Sequence, residues 1–133
     1  MKTIKFRAWN DSKKDWEGNF SISRIGSFLR LGISQSTEGI HVMQYTGLND
    51  KKGKEIYEGD ILEYGEDYDN LFPEGRYVVG FENGEFTMEK SDDMDLCLSL
   101  SLCISDQHNP GYAPDVYIIG NKFENSELLG ATI

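Results

Sequence analysis

The stretch Val78-Val79-Gly80-Phe81-Glu82-Asn83-Gly84-Glu85-Phe86-Thr87-Met88-Glu89 decides the fold class. Asn-Gly is the dipeptide favoured in type I′ turns, because both central residues must take positive φ. The arms on either side carry the β-branched and aromatic residues that strands prefer. The segment from Arg76 to Lys90 therefore predicts a tight β-hairpin.

On the C-terminal side of this hairpin, Leu96, Leu98, Leu100, Leu102 and Ile104 alternate with Cys97, Ser99, Ser101 and Cys103. Period two predicts a strand with leucines on one face and small groups on the other, whereas a helix would scatter those leucines. Val116-Tyr117-Ile118-Ile119 reads as a buried strand ended by Gly120, and Asn125 to Gly130 as a capped helical turn. Upstream, Glu55 to Tyr64 is a strand, a Glu58-Gly59-Asp60 turn and a second strand. Asn49 to Lys54 is a charged turn in which Gly53 can take positive φ, and His41 to Thr46 is a strand. Ile4, Phe6 and Ala8 alternate with Lys5, Arg7 and Trp9, as in a strand with one covered face. Asn10 to Lys14 then turns the chain, and Trp16 to Ile22 returns as the hairpin partner. Ile22, Ile25, Phe28, Leu29 and Ile33 admit a short amphipathic helix, weakened by Gly26 and Gly32. These elements make about eight strands and one or two short helices, a mainly β chain read as a single domain over residues 1–133. Fourteen glycines, above the roughly 7% norm, suit a barrel with many tight turns.

Charge is unevenly distributed. Residues 1–57 hold ten Lys/Arg against six Asp/Glu, and residues 58–133 hold three against seventeen, within a net charge of −10. Such a balance adds a repulsive field toward nucleic acid and anionic membranes and an attractive one toward basic partners. No apolar run approaches the ~20 residues of a membrane span, and the N-terminus lacks an apolar leader core, so a cytoplasmic protein is expected. In a reducing cytosol Cys97 and Cys103 are expected to be free and partly buried. On one strand face they would stand about 20 Å apart, too far to bridge. Neither cysteine has ligand spacing with His41 or His108. No catalytic residue, metal ligand or cofactor motif emerges.

The order of four blocks is informative. They are Ile4 to Trp9, Met43-Gln44-Tyr45-Thr46-Gly47-Leu48, Gly53-Lys54-Glu55-Ile56-Tyr57-Glu58-Gly59-Asp60-Ile61, and Ile118-Ile119-Gly120-Asn121-Lys122-Phe123-Glu124-Asn125-Ser126-Glu127-Leu128-Leu129. In this order they closely resemble the YopX family of bacteriophage and prophage proteins, from residue 4 to residue 129. The family commonly has Asn-Pro at Asn125-Ser126 and a small apolar or β-branched residue at Lys122. Residues 22–38 and 91–113 match none of its blocks. The resemblance implies a mainly β fold with a partly open SH3-like barrel, a phage or prophage of a Gram-positive host, and a homo-oligomer. It brings no catalytic or binding residues.

The candidate interaction residues are therefore read from chemistry. Glu58, Asp60, Glu63, Glu66, Asp67, Asp69 and Glu74 form an acidic stretch, expected to be a solvated turn and strand edge or a partner surface. Asp67-Tyr68-Asp69 resembles two ligands of a calcium loop but lacks the glycine and the closing glutamate. Trp16 and Tyr57 are candidate aromatic anchors, beside the alternative of ordinary packing. Three function classes follow. The first is a non-catalytic module that binds protein, itself or a host or phage protein. The second is an acidic mimic of DNA that inhibits a host nucleic-acid-handling protein. The third is a nucleic-acid-binding barrel using Lys2, Lys5, Arg7, Lys13 and Lys14 or Lys51, Lys52 and Lys54, against which the net charge argues.

Overall fold

The computed structural model describes residues 5–16, 39–65, 73–101 and 115–129. The chain divides into two compact units, Met1–Tyr45 and Thr46–Ile133. Among the described residues the protein is mostly β, as its alternating patterns require.

In the first unit β1 (Phe6–Asn10) lies between β2 (Asp15–Trp16) and β3 (Ile40–Asn49), antiparallel to both. Trp9 stands opposite Trp16 on one side and His41 on the other. The hairpin turn forms because Asn10 Oδ1 accepts the amides of Ser12 and Lys13 at 2.9 and 3.1 Å, a side-chain mimic of a backbone turn. Lys14 completes it at φ +53°. One expectation fails in detail. Ala8 and Trp9 are adjacent and both buried, so β1 is covered on two faces rather than one. The expected helix in residues 22–33 and the return strand beyond Trp16 lie outside the described residues.

The second unit begins within β3, whose end is bonded to β4 (Glu55–Tyr57). It continues with β5 (Asp60–Tyr64), β6 (Gly75–Glu82), β7 (Glu85–Lys90), β8 (Asp93–Ser99) and β9 (Val116–Asn121). These five form one antiparallel sheet in the order β8-β7-β6-β5-β9. A 3-10 turn, Ser126–Leu129, closes the described chain. The hairpin forms where Asn-Gly placed it, with Asn83 at φ +53° and Gly84 at φ +82°. Glu58 and Gly59 do more than turn the chain. β4 and β5 belong to different sheets, so this turn carries the backbone from one to the other. Gly59 sits there at φ +85°, a conformation that costs other residues about 1–2 kcal/mol.

The core of the second unit gathers Ile56, Leu62, Tyr64, Tyr77, Val79, Met88, Leu100 and Val116. Tyr64 and Tyr77 meet edge to face with ring centroids 6.0 Å apart. Leu96 and Leu98 pack against this cluster while Cys97 is exposed, so the leucine face is real. The strand stops at Ser99, however, and Leu100 and Ser101 take helical backbone, which still leaves Leu100 fully buried. Cys97 is free, but exposed rather than partly buried. Cys103 lies outside the described residues. Among the described residues no helix is long and apolar enough to cross a membrane.

Candidate interaction surface

The acidic stretch separates once it is folded. Asp60 is 2% exposed, and its Oδ2 accepts the Tyr57 amide at 2.8 Å, fixing the turn that opens β5. Asp60 therefore belongs to the interior and not to an acidic surface. A carboxylate three residues after a strand end can serve that turn, and the sequence alone does not distinguish it from a solvated one. Glu58 and Tyr57 beside it are half-buried, whereas Glu63 and Glu74 are exposed. Glu66, Asp67 and Asp69 lie outside the described residues.

Trp16 is half-buried and engaged within its own unit. Its ring meets Trp9 edge-on at 5.1 Å between centroids, and the Arg7 guanidinium lies 4.5 Å from its centre. That stack favours a structural role for this indole. Close by, His41 Nε2 and Asp11 Oδ2 meet at 2.8 Å, and this hydrogen bond holds the Asp11 carboxyl below its ordinary pKa.

The residue that sequence reasoning missed is Asp50, which is 7% exposed. Its Oδ1 accepts the amides of Lys52 and Lys54, both at 2.9 Å, and its Oδ2 accepts the Ile118 amide of β9 at 3.0 Å. Ile118 lies where the pairing of β5 with β9 slips by one residue, so Asp50 satisfies an amide at the irregular point of the ladder. The adjoining basic turn is also engaged. Lys51 pairs with Asp115, a hydrogen bond that raises the Lys51 pKa, and Lys52 stands 5.4 Å from the centre of the Tyr117 ring.

Asn121 organises the C-terminal block in the same manner. Its Oδ1 accepts the amides of Phe123 and Glu124 at 3.0 and 2.9 Å, and the Asn125 amide donates to its carbonyl at 2.9 Å. The Asn121 amide in turn donates to Asn125 Oδ1 at 3.2 Å. Gly120 permits this fit, because a Cβ there would stand 2.5 Å from Asn125 Oδ1. The Lys122 amide then reaches Gly59 O at 2.8 Å, tying the C-terminal block to the turn that switches sheets.

These turn-forming residues lie within a stretch that a known family model matches. The model of the YopX protein family matches residues 5–130. The chain belongs to the YopX family. Its fold is similar to the crystal structure of protein EF1440 from Enterococcus faecalis, at 24% identity and a TM-score of 0.58, over 97% of this chain and 99% of that one. No curated protein matches it. In this YopX protein, two of the four blocks quoted from the sequence have their turns set by identifiable residues: the central block by Gly53, Gly59 and Asp60, and the C-terminal block by Gly120, Asn121 and Asn125.

A large exposed aromatic side chain stands at the hairpin tip. Tyr77, Val79 and Phe81 share one face of β6, with Met88 and Phe86 opposite Val79 and Phe81 on β7. Tyr77, Val79 and Met88 are buried and Phe86 packs on the core, but the strands outrun it and Phe81 is 53% exposed. Phe81 rests edge-on against Phe86 at 5.0 Å between centroids. Glu82 and Glu85 face each other one step beyond, and both are exposed. Cys97 Sγ donates to Glu82 Oε2 at 3.7 Å. The signal for this site was a phenylalanine on each side of Asn83-Gly84, one residue removed from the turn, where a core face reaches past its core. Among the described residues no three His, Cys, Asp or Glu side chains come together as a metal site would need.

Proposed function

We propose that this YopX protein is a phage- or prophage-encoded module that acts without catalysis, in the bacterial cytoplasm, by binding a protein partner, either another protein or a second copy of itself. The observation that carries this reading is Phe81, a large aromatic side chain exposed at an acidic hairpin tip. An exposed aromatic beside charges of one sign suits a protein partner with an apolar contact and basic flanks. The phosphate-mimic reading has less support, because Asp60 turns inward and leaves the acidic row it would need. A tagged full-length chain, used as bait in bacterial lysate and eluted with rising salt, tests the reading. Wild type should retain protein that moderate salt releases, and the Phe81→Ser bait should not. Bait that stays monomeric and retains nothing contradicts the reading.

A further inference from the structure

The five-stranded sheet has two edges, β8 and β9, and the fold treats them differently. At β9 the turn after β3 takes up backbone groups that a further strand would need. Lys51 N donates to Val116 O at 2.9 Å, and Ile118 N donates to Asp50 Oδ2 at 3.0 Å. Lys51 also pairs with Asp115, and Lys52 stands against the Tyr117 ring, so the turn is fastened along that edge. At β8, among the described residues, no backbone group bonds the side away from β7. An open edge invites strand addition, and charges or a bulge are the usual guards against it. Here the guards stand at one end. The pairing of β7 with β8 slips between Glu89 and Lys90, and Asp93 and Asp95 lie in the first half of β8. The second half, Leu96 to Ser99, carries no charge. Leu96 and Leu98 pack on the core there and are only partly buried. Cys97 between them is exposed, stands opposite Glu89 on β7, and meets Glu82 Oε2 at 3.7 Å.

We propose that β8 is the edge to which a protein partner adds a strand, antiparallel like every other pair in this sheet. Its apolar side chains lie beside Leu96 and Leu98, and a lysine or arginine lies beside Cys97, within reach of Glu82 and Glu89. This deepens the protein-binding reading above and rests on it, since it gives the partner's segment a chemistry: an extended stretch in which apolar and basic residues alternate. Side chains point to opposite faces along a strand, so one such segment meets both the leucine flank and the carboxylates. Backbone pairing supplies affinity and the side chains select the partner. Residues 46–133 hold six Lys/Arg against nineteen Asp/Glu, a net of −13, which favours a basic segment and makes its binding sensitive to salt.

Hydrogen exchange on the full-length chain tests this, with a blocked peptide that alternates valine and lysine as the probe. The amides of Leu96 to Ser99 that exchange fastest in the free chain should slow as peptide is added, and those of β9 should not change. A peptide with glutamate in place of lysine, and a lysine peptide N-methylated throughout, should leave β8 unprotected. Cys97→Lys alters an exposed position, and circular dichroism verifies that it is folded. It should weaken binding of the lysine peptide about fivefold, through like charge across the new strand pair. No slowing at β8 at any concentration of the lysine peptide overturns the proposal. So does equal slowing by the N-methylated peptide, which would indicate contact without strand pairing. If the proposal fails while lysate protein is still lost from the Phe81→Ser bait, protein binding stands and β8 is not its seat.

Discussion

The two units of this YopX protein are held by different means. In the first, the described contacts are stacked and largely lateral: Arg7 over Trp16, Trp16 against Trp9, Lys5 5.7 Å from the Tyr45 ring centre, and His41 on Asp11. In the second, polar side chains turn inward and hold the backbone, with Asp50, Asp60 and Asn121 each buried and each accepting main-chain amides. Among the described residues, the acidic side chains of the second unit are therefore of two kinds: some, such as Asp50 and Asp60, are parts of its turns, and others, such as Glu63, Glu74, Glu82 and Glu85, are exposed and contribute to its field.

The largest test of that distinction is Asp50→Ala. Three amides lose a charged acceptor, so urea unfolding should show a loss of about 3 kcal/mol or more. The exposed Glu63→Ala should change stability by no more than about 0.5 kcal/mol. Equal effects would erase the distinction. Next is Gly120→Ala, which forces Asn125 aside and should destabilise by about 1–3 kcal/mol. Adding Asn125→Ala should then cost little more, and simple additivity in a double-mutant cycle would argue against the close approach.

A smaller effect belongs to the first unit. Trp16→Ala removes both the indole pair and the guanidinium stack, and about 1–2 kcal/mol should be lost. Hydrogen exchange should quicken at β1 amides and stay unchanged in the β6–β7 hairpin. Smallest is the Asp11–His41 pair, both partners of which are substantially exposed. The Asp11 pKa is depressed in the folded state, so its contribution is present above the ordinary value of 3.8. That contribution is lost as pH falls through the lowered value. Asp11→Asn should remove only this acid-side dependence, seen by comparing unfolding curves at neutral and acidic pH.

Much of the fold is legible in the sequence because local rules carry it. Asn83-Gly84 dictates its turn, Gly53 takes its positive φ, and the alternation at Leu96 and Leu98 marks the inner face of β8. Long-range facts are not legible. The sequence does not reveal that Glu58-Gly59 passes between sheets, since a strand, a turn and a strand also describe a hairpin. Nor does it separate Asp60 or Asp50 from carboxylates in solvent, because burial depends on partners such as Ile118, which lies 68 residues from Asp50. Trp16 reads equally as an anchor or as packing, and the stack with Arg7 and Trp9 favours packing. Phe81 escapes sequence reasoning for the opposite reason. Its parity assigns it to the core face, and only the structure reveals where the core ends.

Phe81→Ser, followed by urea unfolding and sedimentation on the same sample, tests most directly whether the tip is spare to the fold and used for contact. The account predicts an unfolding free energy lower than wild type by no more than about 1 kcal/mol, the loss of one half-exposed cross-strand aromatic pair, together with loss of self-association or of protein capture from lysate. A loss of about 3 kcal/mol or more, as for a core phenylalanine, with association intact, would contradict it.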